Sequence, residues 1–205
     1  MVEQSDSLLD NGRFPDDLKT LSQQQLITLC DDIRHRLIEV TNAVGGHLAS
    51  NLGVVELTVA MHTIFDSPTD AFFWDTSHQT YVHKMLTGRL RDMYTIKQYG
   101  GLSGFAKIKE SEHDFFGAGH ASTSLSAALG MAHARNAQKK DHNVVCVVGD
   151  SGLSGGMAYE ALNNMHSLNG NFVCILNDNN MSISPLSGPC PSILRPFEAA
   201  NCMTT

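Results

Sequence analysis

After Ser22 the apolar residues recur at helical spacing: Leu26, Leu29, Ile33 and Leu37 fall on one stripe, with charged and amide side chains between them. That period predicts an amphipathic helix whose stripe faces a core. Ser22 followed three residues later by Gln25 supplies a capping box at its start. The helix is expected to reach about Val44, where Gly45 and Gly46 stop it, and after a polar loop a second, more buried helix should occupy residues 54–65. Farther on, periodicity gives way to short continuous apolar runs. Residues 72–74, 115–116, 144–148 and 172–176 each read as a strand, and a helical stretch at 156–168 separates the last two. Strands buried on both faces and joined by a helix predict an α/β fold, a parallel sheet flanked by helices.

In such a sheet ligands sit beyond the carboxyl ends of the strands. Those ends here are residues 75–78, 117–122, 149–152 and 177–180, and every polar motif of interest falls in one of them. From Pro185 onward the texture changes, with four of the six prolines (Pro185, Pro189, Pro191 and Pro196) and little periodicity. The expected organisation is one domain over residues 1–184 followed by an irregular tail, 185–205.

Composition narrows the partners. With 42% hydrophobic and 17% charged residues the chain reads as globular, and no apolar run approaches the roughly 18 residues that cross a membrane. A formal charge of -7, from 21 acidic and 14 basic side chains, argues against nucleic acid, which needs a basic face. The polar, acidic opening stretch lacks the character of a leader, so a cytoplasmic protein is expected. Five cysteines without a C-x-x-C pair read as reduced core thiols, and none of the ten histidines sits in a recognisable metal motif.

Gly149-Asp150-Ser151-Gly152 follows a buried run and precedes a helix, so its backbone N–H groups can face an anion. Asn179 follows Asp150 by 29 residues, at the end of the next strand of the same βαβ unit. A carboxylate and an amide oxygen, with a backbone carbonyl and two phosphate oxygens, suit magnesium. Gly117-Ala118-Gly119 hints at a dinucleotide fingerprint, but Ser122 stands where its third glycine belongs, and this reading ranks lower.

The spacing resembles that of thiamine-diphosphate enzymes, which carry Gly-Asp-Gly followed a little under thirty residues later by Asn-Asn or Asn-x-Asn. Gly149, Asp150 and Asn179 match, and Ser151 replaces the second glycine. Successive stretches narrow the resemblance to the 1-deoxy-D-xylulose-5-phosphate synthases. They are Gly46-His47-Leu48-Ala49-Ser50-Asn51-Leu52-Gly53, Trp74-Asp75-Thr76-Ser77-His78-Gln79, His83-Lys84, Leu86-Thr87-Gly88-Arg89, Gly119-His120-Ala121-Ser122-Thr123-Ser124, Gly155-Gly156-Met157-Ala158-Tyr159-Glu160-Ala161, and the run Leu176-Asn177-Asp178-Asn179-Asn180-Met181-Ser182-Ile183-Ser184. Ser77 stands where that family usually has glycine.

The resemblance implies the transketolase-like diphosphate-binding fold, with thiamine diphosphate and Mg2+ as cofactors. It implies that Asp150, Asn179 and the Met181 carbonyl ligate magnesium. Gly119, His120, Ala121, Ser122, Ser151 and Gly152, with Asn179, would hold the diphosphate, and His47 and His78 would face the reacting carbon. The reaction implied is decarboxylation of pyruvate and transfer of the remaining two-carbon unit to glyceraldehyde 3-phosphate, which feeds isoprenoid and thiamine synthesis. In this family a glutamate from a separate pyrimidine-binding domain assists, so the chain is expected to need a partner chain, to form a homo- or hetero-oligomer, and to be inactive alone. The competing expectation is a non-catalytic remnant that keeps the fold.

Overall fold

The computed structural model describes residues 7–178. A short helical turn, α1 (Leu8–Asn11), precedes the long helix α2 (Gln23–Val44). The capping box is in place: the Ser22 hydroxyl accepts from the Gln25 N–H, and the Gln25 side chain accepts from the Ser22 N–H at 2.9 Å. Leu29, Ile33, Leu37 and Val40 form the buried stripe, and Gly45 ends the helix at φ 77°, a left-handed conformation that glycine adopts freely. The second long helix, α4 (Val55–Ile64), lies within the residues 54–65 expected for it. Between them the expected polar loop instead winds into a short helix, α3 (Leu48–Leu52), because the side chain of Asn51 is fully buried and organises the turn from within.

Three parallel strands in the order β1-β2-β3 make up the sheet among the described residues: β1 (Ala71–Trp74), β2 (Val144–Gly149) and β3 (Phe172–Asn177). Ala71 pairs with Val144, and Val144 with Phe172. Side chains alternate between the two faces, as the pleat requires. Phe73, Val144, Cys146 and Val148 pack under α6 (Ser124–Ala137) and α7 (Gly156–Asn164), while Phe72, Trp74, Val145 and Val147 pack against Met61 and Leu57 of α4. A separate cluster joins α2 and α4 to α5 (Tyr81–Lys84) through Leu37, Val59, Val82 and Leu86.

Two expectations are corrected. Residues 115–116 form no strand; Phe115 and Phe116 lie in irregular backbone and use their rings, 6.4 and 6.2 Å from that of Phe73, to cover the core. Apolar packing, not sheet pairing, accounts for that run. Nor is β3 buried on both faces. It is one of the two edge strands among the described residues, and Val173, Cys174 and Leu176 are exposed. Cys30 and Cys146 are the buried free thiols expected, whereas Cys174 is exposed. The domain limit at 184, the tail at 185–205, and Cys190 and Cys202 lie outside the described residues. Among the described residues no helix is long and apolar enough to cross a membrane.

Candidate functional site

The carboxyl edge of the sheet is organised by Asp75, the residue after β1. Its Oδ2 accepts the Ser122 N–H at 2.9 Å; its Oδ1 accepts the Thr123 N–H at 3.1 Å, the Ser124 N–H at 3.2 Å and the Ser124 hydroxyl at 2.8 Å. These backbone donors belong to the start of α6, which no helical carbonyl can satisfy and where the helix dipole favours negative charge. The N-terminus of α6 is thus already filled by the protein's own carboxylate. Ser122 takes φ 69° to turn its N–H inward.

Two glycines follow from this arrangement. A Cβ on Gly152 would stand 2.4 Å from Asp75 Oδ2, and one on Gly155 would stand 2.3 Å from the Ser122 Oγ. The backbone after β2 can therefore approach β1 and α6 only without side chains at these positions. Asp150 opens a 3₁₀ turn, Asp150–Ser154, directly beyond β2. Ser151 is exposed in that turn and has no left-handed backbone, so the serine introduces no strain there.

A cleft of about 190 Å³ opens over this edge. It brings together His78, Ala121, Asp150, Ser151 and Gly152 of the expected site, joined by Asn177 at the end of β3 and by Ala49, Ser50 and Gly53 around α3. Gly119 and His120 are exposed and do not line it; the His120 Nδ1 lies 2.8 Å from the Ala121 carbonyl. Ser122 does not line it either, and its N–H is engaged by Asp75. Asn179 and Met181 lie outside the described residues.

His47 adjoins the cleft through His78, the two rings 5.6 Å apart and nearly perpendicular at 76°. Asn51 sets this pair. Its amide nitrogen donates to the His47 carbonyl at 2.6 Å and to the His78 carbonyl at 2.9 Å, while its Oδ1 accepts the Tyr81 N–H at 2.8 Å. The Tyr81 hydroxyl completes the cluster 3.2 Å from His47 Nδ1. Burial pushes His47 below the ordinary histidine value, and Lys97 pushes the same way. Burial lowers His78 as well, with His47 adding to the effect and Asp75 opposing it. The buried His78 Nδ1 has no partner among the described residues.

Sequence reasoning passed over Asn51, Asp75 and Tyr81 as functional residues. Asn51 and Asp75 lie inside stretches singled out for other members, and an acidic residue closing a short apolar run was a usable signal for Asp75. Nothing local marks Tyr81, since its role comes from a packing partner 34 residues away.

The amino-acid sequence is similar to those of known proteins. A family model described as 1-deoxy-D-xylulose-5-phosphate synthase matches residues 9–205. Among similar proteins, a 1-deoxy-D-xylulose-5-phosphate synthase of Dehalococcoides mccartyi is 54% identical over 187 residues, covering 91% of this chain and 30% of the relative. Its namesake from Brevibacillus brevis is 56% identical over 181 residues, 88% of this chain and 29% of the relative. A 1-deoxy-D-xylulose-5-phosphate synthase 1 of Geobacter sulfurreducens is 53% identical over 188 residues, again 30% of its length. The chain thus spans about three tenths of the length of the relatives it matches. With a family model matching nearly its whole length, the chain belongs to the 1-deoxy-D-xylulose-5-phosphate synthase family.

Proposed function

We propose that this chain carries the diphosphate- and magnesium-binding part of an enzyme that joins pyruvate to glyceraldehyde 3-phosphate with loss of carbon dioxide. The observation that carries the reading is the convergence of Asp150, His78 and Asn177 on one cleft at the carboxyl edge of a parallel sheet. The donor set fits. Asp150 offers a hard carboxylate oxygen of the kind magnesium takes, and Asn179 and the Met181 carbonyl, placed two and four residues beyond β3, are proposed to complete the protein ligands. Backbone from Ala121 and from Ser151 and Gly152 supports the diphosphate, with Gly119, His120 and Ser122 shaping the loop that carries Ala121. When bound there, thiamine diphosphate supplies a carbon nucleophile able to release carbon dioxide from a 2-oxo acid and pass the remainder to an aldehyde.

The chain's own part is to bind, orient and exchange protons. His78 lines the cleft and carries a buried Nδ1 without a partner among the described residues, and His47 stands edge-on to its ring. Burial lowers both, which favours the neutral imidazole, the form that can take up a proton. Asn51 fixes their separation through both carbonyls, so proton acceptor and neighbour keep one geometry. The pyrimidine-binding domain and its glutamate are proposed to come from a partner chain, in a homo- or hetero-oligomer.

Isothermal calorimetry of the folded chain with thiamine diphosphate, with and without magnesium, tests the reading. Binding that needs magnesium and disappears in Asp150→Ala is expected. A folded sample that binds nothing would overturn it and leave the competing reading, a chain that keeps the fold without the cofactor.

A further inference from the structure

The longest irregular segment among the described residues, 96–123, separates the short helices after β1 from α6. Connections of that length without helix or strand need anchors of their own. Here the anchors are two carboxylates. Asp114, buried, accepts two N–H bonds from Arg89 at 2.8 and 2.9 Å, lies 3.1 Å from His83 Nε2, and accepts the Lys107 N–H at 2.8 Å. Glu110 accepts the Ser103 N–H at 2.6 Å and pairs with Lys84. Arg89, His83 and Lys84 all come from the helical turns 81–89, which pack into the main core.

The polarity of the network follows from its charges. Burial works to raise the Asp114 carboxyl, but hydrogen bonds from His83 and Arg89 outweigh it and hold the group well below the carboxylate range. An ionised Asp114 accepts the His83 Nε2–H. His83 Nδ1 must then accept from His62 Nε2, 2.9 Å away, so the whole file of side chains has one orientation. A bidentate guanidinium and a one-way histidine file make a rigid anchor, not an adjustable one.

The opposite face of the same loop touches the site. The Phe105 ring lies 5.6 Å from that of His47, and the Ala106 N–H donates to the Ser77 hydroxyl at 3.0 Å, one residue before His78. Lys97, at the start of the segment, is held by its backbone N–H, which donates to the Leu102 carbonyl at 2.7 Å. We propose that Asp114, gripped by Arg89 and His83, is a positioning residue that holds the loop 96–116 against His47 and His78. Asp114 is buried and outside the cleft; it sets the wall against which His47 packs and to which Ser77, beside His78, is bonded. The proposal rests on reading those histidines as the groups that face the reaction, but its test needs no cofactor.

The test is nuclear magnetic resonance of the unliganded chain, reading amide exchange along residues 102–107 and in β2 together with the titration of His47. In Asp114→Asn the Phe105 and Ala106 amides are expected to exchange about tenfold faster, with β2 unchanged. The His47 midpoint is expected to return toward its ordinary value as Phe105 and Lys97 withdraw, and Asp114→Glu is expected to restore part of both effects. If β2 exchange also quickens, Arg89→Lys, which keeps the charge but loses the paired bonds, takes its place and carries the same expectations. A folded variant of either kind with an unmoved His47 midpoint and unchanged loop exchange overturns the proposal, whatever calorimetry says of the cofactor.

Discussion

Asp75 and Ser124 stand 49 residues apart in sequence and 2.8 Å apart in space, carboxylate to hydroxyl. Through that contact and three backbone N–H bonds the end of β1 caps the start of α6. Removing the charge while keeping the shape, Asp75→Asn, leaves an amide that cannot accept from all four donors. Hydrogen bonds to a charged group contribute about 1.5–3 kcal/mol each, and their loss is partly offset by water, so a net destabilisation of about 3 kcal/mol is expected. Urea unfolding of the two proteins measures it. A loss under about 1 kcal/mol would mean that solvent caps the helix as well as Asp75 does.

Ser77 has φ 64°, where glycine is easier, yet its hydroxyl accepts the Ala106 N–H. Glycine there relieves about 1 kcal/mol of backbone strain but leaves the buried Ala106 N–H without a partner, a cost of about 1–3 kcal/mol. Alanine loses the bond and keeps the strain. The expected order of stability is Ser77, then Ser77→Gly, then Ser77→Ala, read from thermal midpoints. If Ser77→Gly proved the most stable of the three, the hydroxyl bond would carry no net weight.

The neighbouring substitutions at the 3₁₀ turn should diverge sharply. Ser151→Gly touches an exposed residue with ordinary backbone, so a change within about 0.5 kcal/mol is expected. Gly152→Ala drives a Cβ to 2.4 Å from Asp75 Oδ2 and must shift the turn or the carboxylate. Overpacking of this kind typically costs about 1–3 kcal/mol. Calorimetry adds a second readout: Gly152→Ala is expected to weaken thiamine diphosphate binding, whereas Ser151→Gly leaves it within a few-fold. Equal behaviour of the two variants would separate this turn from the cofactor.

Much of this was legible in the chain itself, for identifiable reasons. The stripe of α2 and its capping box are local, and a buried parallel strand such as β2 announces itself by five consecutive buried apolar residues, Val144, Val145, Cys146, Val147 and Val148. The strand ends then placed His78, Asp150 and Gly152 on one edge. What misled was chemistry that a run shares with other environments: Phe115 and Phe116 are as apolar as a strand but only cover Phe73. The exposure of β3 depends on what packs outside it, which no run encodes. Asn51, Asp75 and Tyr81 act at separations of 27 to 49 residues, so their roles exist only in the folded chain.

Stability should fall on mild acidification, earlier than carboxylate titration would cause. His62 and His83 are buried, and burial lowers both, His62 well below the ordinary value of 6.5. Burial is also the main cause that lowers His47, His78 and His113. A histidine lowered on folding takes its proton more readily in the unfolded chain. Its contribution is therefore complete above pH 6.5 and is lost as pH falls from there toward the folded value. Each such histidine adds up to about 1.4 kcal/mol per pH unit to the slope. Urea midpoints are expected to be level between pH 7.5 and 7 and to drop by pH 5.5, with a shallower drop in His62→Gln, which removes one of the lowered groups while keeping a donor for His83. A midpoint that rises on acidification would reverse the assignment: it would require His83 to be protonated in the fold and paired as a cation with Asp114, in competition with the Arg89 guanidinium that already holds both carboxylate oxygens.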